Sequence, residues 1–286
     1  MNRPPLQRFT LNDLRAARAH GHKVPMLTCY DYTSAKLMHE AGVPMLLVGD
    51  SAANVLLGHT STIPIQLDFL IELTAAVRRG APNCLVMGDM PFGSTHASVE
   101  QGVMNVVRMV QLSGCDCVKI EVAEDHAPLV KRLADAGVAV VAHLGLRPQS
   151  VGVLGGYKAQ GRSAAAAMAI VSAAMNMQAS GAAAVLLEAV PPIVSECVAQ
   201  SLDIPVIGCG AGPACDAHVV VAHDLFKLTS SQPKFVPDLG SLGPAVKQIL
   251  SRYVDEVAAG RYPATEHNYE MPPAERDAFT SARKGG

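Results

Sequence analysis

The sequence predicts an α/β protein: a single (β/α)8 TIM barrel with an extra N-terminal helix and a polar C-terminal tail. Eight short apolar runs alternate with about seven helical segments along the 286 residues, which is the element order of such barrels. At least five of these runs end on an ionisable residue, as expected where strand ends surround one site. No change of composition divides the chain, so we expect a barrel domain over residues 1–262 and a flexible tail over residues 263–286.

The N-terminal helix is predicted from a capping box at Thr10 and Asp13, and it should extend to about Ala19. The strands are predicted from apolar runs bounded by turn residues. In chain order they are Pro25–Tyr30, Met45–Val48, Cys84–Asp89, Cys117–Glu121, Val138–His143, Ala184–Glu188, Pro205–Gly208 and Val219–Ala222.

The remaining helices are predicted from segments that mostly stop at a glycine, the residue preferred just after a helix. In chain order they are Ser34–Glu40, Leu67–Arg79, Ser98–Leu112, Asp125–Ala136, Ser163–Ser180, Pro192–Ser201 and Pro244–Ala259. Only a short turn fits between the last two strands, so the seventh helix should be reduced. A doubly wound open sheet is the alternative fold, but it would need a glycine-rich turn at residues 30–33, which read Tyr-Asp-Tyr-Thr.

Charge and composition exclude several functions. The formal net charge of −2 argues against a nucleic acid or anionic membrane as partner, because such binding depends on clustered Lys and Arg. No apolar run approaches the roughly 20 residues of a membrane span, and the first residues lack a signal peptide's apolar segment. The seven cysteines are scattered and lack zinc-ligand spacing, which suits a reducing compartment. We therefore expect a soluble, cytoplasmic protein.

Three acidic residues, Asp50, Asp89 and Glu121, stand at the ends of different predicted strands. In a barrel these ends converge, and neighbouring carboxylates repel unless a cation lies among them. Oxygen ligands select a hard ion such as Mg²⁺, which takes one or two carboxylates directly. We predict that Asp50 and Asp89 bind Mg²⁺ directly and that Glu121 binds it directly or through water. The alternative is that these carboxylates act as caps or in salt bridges.

Four other residues are candidates for substrate chemistry. Lys119, on the same strand face as Glu121, is predicted to bind a substrate carboxylate, with a structural ion pair or a Schiff base as alternatives. Glu188 lies among apolar residues, which raise a carboxyl pKa to the range of a general base; its alternative is a pair with an arginine. Ser51 is predicted to donate to the substrate carboxylate and His143 to orient the substrate. The alternatives are that Ser51 caps a loop and that His143 fills a polar gap at the rim of the barrel.

Two glycine-containing segments have no assigned element. The connection Leu144–Arg162 exceeds the roughly two to six residues usual in a βα loop, and it carries Lys158 and Arg162. Such a loop is either a lid or an oligomer contact. The Gly208–Gly212 turn permits close backbone approach and could take an anion.

Eight motifs, in order between about Val24 and Tyr262, resemble those of the ketopantoate hydroxymethyltransferase (3-methyl-2-oxobutanoate hydroxymethyltransferase) family. They are Val48–Ser51, Arg79–Cys84, Gly88–Phe92, Val118–Glu121, Ala142–Ser150, Gly155–Arg162, Leu187–Glu188 and Gly208–Gly212. The resemblance implies a (β/α)8 enzyme of pantothenate biosynthesis that is usually a decamer of two pentamers. It implies hydroxymethyl transfer from 5,10-methylenetetrahydrofolate to 3-methyl-2-oxobutanoate, giving 2-dehydropantoate through a Mg²⁺-stabilised enolate.

The same resemblance implies roles for the acidic residues and their neighbours. One Mg²⁺ per subunit would be held by Asp50 and Asp89, with Glu121 completing the site, and Glu188 would accept the substrate proton. The 2-oxo acid would be held by Asp50, Ser51, Asp89 and Lys119.

Three departures separate this chain from the family's usual pattern. Ala52-Ala53-Asn54 replaces Leu-Gly-Met, Thr60 replaces an aspartate, and Lys227 replaces a glycine. Two alternatives stay open. One is a C–C lyase or mutase of the phosphoenolpyruvate mutase/isocitrate lyase superfamily, whose members place similar carboxylates and Mg²⁺ on 2-oxo acids and usually supply a catalytic cysteine or further phosphate contacts on the loops. The other, motivated by the altered loop after Ser51, is a non-catalytic paralogue retained for assembly or binding.

Overall fold

The computed structural model of the protein describes residues 7–230 and 232–284. Its strands are all parallel and form a closed barrel in the order β1 to β8, so the predicted TIM barrel is confirmed. The strands are β1 Val24–Thr28, β2 Met45–Val48, β3 Leu85–Asp89, β4 Cys117–Glu121, β5 Val140–Gly145, β6 Ala184–Glu188, β7 Val206–Cys209 and β8 Ala217–Val220.

Helices alternate with the strands along the chain, and the predicted N-terminal helix is present. The helices of the described residues are α1 Leu11–Ala19, α2 Tyr32–Glu40, α3 Ala52–Val55, α4 Leu67–Gly80, α5 Val99–Ser113, α6 Ala127–Asp135, α7 Val151–Leu154, α8 Ala164–Ala179, α9 Pro192–Ser201, α10 Ala222–Leu225, α11 Leu242–Ala258 and α12 Pro273–Lys284. The capping box of α1 is confirmed, because the backbone N–H of Thr10 donates to Asp13 and that of Asp13 to the Thr10 hydroxyl. As predicted, no helix separates β7 from β8.

The barrel interior is filled by apolar side chains toward the N-terminal ends of the strands. Met26, Met45, Leu85 and Met87 are buried there in one cluster with Leu14 of α1. Beside that cluster, the Arg18 guanidinium lies 2.6 Å from the carboxylate of Asp216, the residue just before β8. Helix α1 therefore closes the N-terminal end of the barrel and leaves the opposite end for a site.

Strand register sets the ionisable ends of neighbouring strands side by side. Asp89 of β3 pairs with Lys119 of β4, and Glu121 of β4 pairs with His143 of β5. Glu188 of β6 pairs with Gly145 of β5 and with Cys209 of β7. The candidate residues are thus gathered at one rim by backbone pairing alone.

Several elements differ from the sequence prediction. Strand β5 begins and ends two residues later than predicted, and the helices α7 and α10 were not predicted. Strand β8 begins and ends two residues earlier than predicted, because Ala217 pairs with Val24 and the residues from Ala222 turn into α10. Helix α3 was not predicted. The tail predicted to be flexible contains the helix α12, which was not predicted, and its flexibility stays a prediction.

Residues 226–228 and 239–284 of the described chain form a second compact unit, which contains α11 and α12. The predicted division of the chain at residue 262 stays a prediction. Among the described residues, no helix combines the length and apolar character needed to cross a bilayer.

Candidate active site

A cavity of ≈ 540 Å³ opens at the C-terminal ends of the strands. Six of the seven predicted site residues line it: Asp50, Ser51, Asp89, Lys119, His143 and Glu188. The seventh, Glu121, is buried beside the cavity, where its Oε1 lies 3.8 Å from Nδ1 of His143. The structure therefore brings together all the residues that the sequence singled out.

One end of the cavity is acidic, with Asp50, Asp89 and Glu121 close together. Asp89 and Lys119 form the buried centre of this acidic end. Lys119 Nζ lies 2.8 Å from Asp89 Oδ1, and the backbone N–H of Asp50 donates to Asp89 Oδ2 over 2.9 Å. Burial raises the pKa of Asp89 well above its usual value, with the Asp50 charge adding to the rise and Lys119 opposing it. Burial lowers the pKa of Lys119, but Asp89, Asp50 and Glu121 outweigh that effect, so the net shift is upward. One lysine is thus shared by several carboxylates.

Glu121 and His143 form the next layer of the site. Burial raises the pKa of Glu121 to about 8 against the opposing charge of Lys119. Its Oε1 accepts the backbone N–H of Gln149 over 3.1 Å, and its buried Oε2 has no hydrogen-bond partner among the described residues. Burial, reinforced by Lys119, lowers the pKa of His143 well below its usual value, so this imidazole is neutral near pH 7.

Glu188 faces the cavity from the end of β6. Its Oε2 lies 3.3 Å from Nε2 of His143, and its side chain is 22% exposed. Burial raises the pKa of Glu188 to about 7, as its apolar neighbours in sequence predicted. A carboxyl group with this pKa exists partly as a free base near neutral pH.

Two residues that sequence reasoning missed hold Glu188 in place. Gly145 has φ +89°, and a Cβ there would lie 2.4 Å from the carbonyl oxygen of Glu188, so only glycine fits. Ala189 adopts φ +48°, which is unusual for a residue with a Cβ. Its N–H donates to the Cys209 carbonyl and its carbonyl accepts from Gln160, each over 2.9 Å. No sequence pattern reveals a left-handed alanine.

Gln149 and Tyr30 were also missed. The side-chain amide of Gln149 donates to Asp50 Oδ2 over 2.9 Å and to the Met90 carbonyl over 3.0 Å. Gln149 therefore ties the long connection after β5 to the acidic end of the cavity. The Tyr30 hydroxyl lies 2.8 Å from Ser51 Oγ. Both residues closely follow a strand, a position that could have marked them as candidates.

The unusual residues after Ser51 form α3. Ala52 and Ala53 are buried, and Asn54 lines the cavity. The Asn54 side chain donates to the His59 carbonyl over 2.8 Å, so this stretch is held by its own hydrogen bonds.

The acidic end of the cavity offers ligands for a divalent cation. Among the residues described, no three His, Cys, Asp or Glu side chains are arranged to hold a metal ion by themselves. Asp50 and Asp89 offer oxygen ligands suited to a hard ion, and the unpartnered Glu121 Oε2 offers an acceptor for a bound water. The residues fit an ion with two direct carboxylates and an otherwise aqueous shell, and the predicted ligand set stays a prediction.

The chain is similar in sequence to proteins of one known family. A family model described as "Ketopantoate hydroxymethyltransferase" matches residues 8–265. The chain is 42% identical over 263 residues to 3-methyl-2-oxobutanoate hydroxymethyltransferase from Desulfotalea psychrophila, covering 92% of this chain and 94% of the relative. It is 45% identical over 266 residues to the protein of that name from Geobacillus kaustophilus, covering 93% and 95%.

A solved structure of 2,3-dimethylmalate lyase, a PEP mutase/isocitrate lyase superfamily member, matches with a TM-score of 0.58. The identity is 17%, over 96% of this chain and 98% of that chain. At this identity the likeness shows the fold alone. The family match, by contrast, extends over residues 8–265 and includes every candidate residue. The chain therefore belongs to the ketopantoate hydroxymethyltransferase family.

Proposed function

We propose that the protein transfers a hydroxymethyl group from 5,10-methylenetetrahydrofolate to 3-methyl-2-oxobutanoate, giving 2-dehydropantoate in pantothenate biosynthesis. The observation that carries this proposal is the position of Glu188. Its carboxyl group, with a pKa raised to about 7, shares one cavity with Asp50, Asp89 and Lys119. A base near neutral pH and a charged anchor for an oxo acid are what deprotonation beside a carbonyl group requires.

The chain's own residues divide this work. Lys119 and Ser51 bind the carboxylate of the oxo acid, and the neutral His143 orients the substrate between the acidic end and Glu188. Glu188 removes the C3 proton, and the resulting enolate carbon attacks the methylene carbon of the folate. Both C–N bonds from this methylene carbon to N5 and N10 of the folate break, and water supplies the hydroxyl oxygen. The two nitrogens take up one proton from water and the proton that Glu188 removed from C3, which leaves tetrahydrofolate.

A divalent cation, Mg²⁺ at one per subunit, would be held by Asp50 and Asp89, with Glu121 acting through water. When bound, such an ion acts as a Lewis acid on the oxo and carboxylate oxygens and offsets the charge of the enolate. The three carboxylates share one buried cation, Lys119, so the site favours additional positive charge.

Members of the superfamily in the lyase or mutase alternative usually supply a catalytic cysteine. Cys209 is the cysteine that lines the cavity within the described residues. Burial and the Glu188 charge raise its pKa well above the usual value, so it stays a thiol. The non-catalytic alternative is disfavoured because every proposed ligand, anchor and base is present.

Two further properties are proposed for the whole protein. We infer that copies of the chain associate into a homo-oligomer, supported by the exposed apolar side chains of α11. We also infer a cytoplasmic location, supported by seven free cysteines.

Isotope exchange at C3 of the oxo acid tests the proposal. With Mg²⁺ and without folate, the protein should exchange this hydrogen with deuterated water, and adding 5,10-methylenetetrahydrofolate should yield 2-dehydropantoate. EDTA and Asp89→Asn should each suppress the exchange. Full turnover by Asp89→Ala in excess EDTA would overturn the scheme. Cleavage of oxaloacetate or 2-methylisocitrate in place of exchange would favour the lyase alternative.

A further inference from the structure

A second cavity of ≈ 530 Å³ adjoins the active-site cavity. The two share Ala189 and Phe235 in their walls, so they lie side by side. Because Ala189 directly follows Glu188, the shared wall lies beside the proposed base. The second cavity is therefore the neighbouring space for a ligand that reacts near Glu188.

The second cavity has a positive character. Arg162 and Lys234 are the ionisable residues among its described lining, and neither forms an ion pair or hydrogen bond through its side chain in the described chain. Pro192, the first residue of α9, also lines it, and the N-terminal end of a helix favours negative charge. Val190 and Pro191 supply an apolar wall between these groups.

The floor of this cavity is built by the glycine-rich turn after β7. Gly210 has φ +63°, and a Cβ there would lie 2.6 Å from the Phe235 ring. Gly212 has φ +87°, and a Cβ there would lie 2.7 Å from Pro192. The missing Cβ at Gly210 lets the Phe235 ring pack against the turn, and this ring lines the cavity and is 39% exposed. The turn thus positions an aromatic surface beside the cavity, and the anion site predicted there stays a prediction.

We propose that this second cavity binds the aminobenzoyl-glutamate half of the folate co-substrate, with the benzoyl ring against Phe235 and the glutamate carboxylates on Arg162 and Lys234. The inference rests on the proposed hydroxymethyl transfer. In 5,10-methylenetetrahydrofolate the reacting carbon bridges N5 and N10, and N10 carries the benzoyl ring. The benzoyl ring must therefore extend away from the reacting carbon. The second cavity, which begins at the shared wall residue Ala189, contains the two unpaired cations. An anionic tail and two free cations are complementary in charge.

The test compares two donors, 5,10-methylenetetrahydrofolate and 5,10-methylenetetrahydropteroate, which lacks the glutamate. The double variant Arg162→Ala/Lys234→Ala should raise KM for the glutamate-bearing donor about tenfold, the size expected for two exposed charge contacts. Its KM for the pteroate should not change. Phe235→Ala should raise KM for both donors several-fold, because the ring contacts the part that they share.

A matched control removes the same charges elsewhere. Lys131 and Arg132 line a larger groove of ≈ 880 Å³ on the outer helices, away from the strand ends. Lys131→Ala/Arg132→Ala should leave both KM values unchanged, which separates local contacts from long-range attraction. Thermal unfolding should show that both double variants are folded.

Two failures are distinguishable in this design. Exchange at C3 without folate does not involve the second cavity, so wild type and Arg162→Ala/Lys234→Ala should exchange at equal rates. No exchange by the wild type would refute the proposed function itself. Normal exchange with an equal KM change for both donors, or with no KM change, would refute the tail site and leave the function standing.

Discussion

Glu188 has the environment that a proton acceptor needs, because its pKa is raised to about 7 and its side chain still reaches the cavity. Since the pKa is raised, the carboxylate form is present above pH 7 and is lost as the pH falls through that value. The rate of C3 exchange should therefore fall as the pH decreases from 8 to 6.

Replacing this carboxyl group should remove the base. We expect Glu188→Gln to slow C3 exchange roughly 100- to 10,000-fold, the usual contribution of a general base, and to abolish the pH dependence near 7. Exchange followed by NMR between pH 6 and 8 measures both effects. Glu100→Gln, on the outer helix α5, is the control and should behave as wild type. Exchange at the wild-type rate in Glu188→Gln would assign the base to another residue.

The sequence predicted the charged residues of the site but not the residues that hold them in position. Asp50, Asp89 and Glu188 were recognisable because each ends an apolar run. Gln149 follows a strand, but its hydrogen bonds could not be predicted, because its partners lie 99 and 59 residues away along the chain. Ala189 carries no signal at all, since its left-handed backbone is held by hydrogen bonds to the end of β7 and to the loop before α8.

Among the elements, the end of β5 determines where β6 presents its carboxylate. Gly145→Ala would place a methyl group 2.4 Å from the Glu188 carbonyl oxygen and would strain a backbone with φ +89°. We expect a loss of unfolding free energy of about 1–3 kcal/mol or more and a slower C3 exchange. Urea unfolding and the exchange assay measure these two quantities.

A second glycine of the same connection provides the matched control. Gly152 lies in α7, and a Cβ there would meet no atom within 4 Å. Gly152→Ala should leave the exchange rate unchanged and should stabilise the protein by at most about 1 kcal/mol. Equal behaviour of the two variants would show that the close approach at Gly145 does not position Glu188.

The bounds of a helix or strand were predicted correctly where a single residue marks the boundary. Helix α9 has the predicted bounds because Pro192 fixes its start. The predicted bounds of β8 were two residues too late. The uninterrupted apolar run in this part of the chain is Val219–Ala222, whereas pairing with β1 begins at Ala217. Helix α3 is only four residues long and has no side-chain cap, so it left no pattern to detect.

For the whole molecule, the exposed side chains of α11 suggest association. Leu242, Val246, Ile249, Tyr253 and Val257 follow one another at intervals of three or four residues and are exposed, so they form an apolar stripe on one helix face. A stripe of this kind on a free surface is unfavourable unless another surface covers it.

We therefore expect a molar mass in solution that is a multiple of 29.9 kDa. Ile249→Asp/Val257→Asp should lower that mass while the circular dichroism of the barrel persists. Size-exclusion chromatography with light scattering provides the measurement. Leu37→Asp, an isolated exposed apolar residue on α2, should keep the wild-type mass. An unchanged mass in the α11 variant would place the contact elsewhere.

The closure of the barrel at its N-terminal end has a kinetic consequence. With Leu14 and its neighbours filling that end, reactants and products reach the site from the C-terminal ends of the strands. The acidic residues lie deepest, with Asp89 fully buried, whereas Phe235 stands at the rim and is 39% exposed. The smaller reactant must accordingly arrive first and its product depart last, so initial-rate patterns should be those of an ordered sequential reaction.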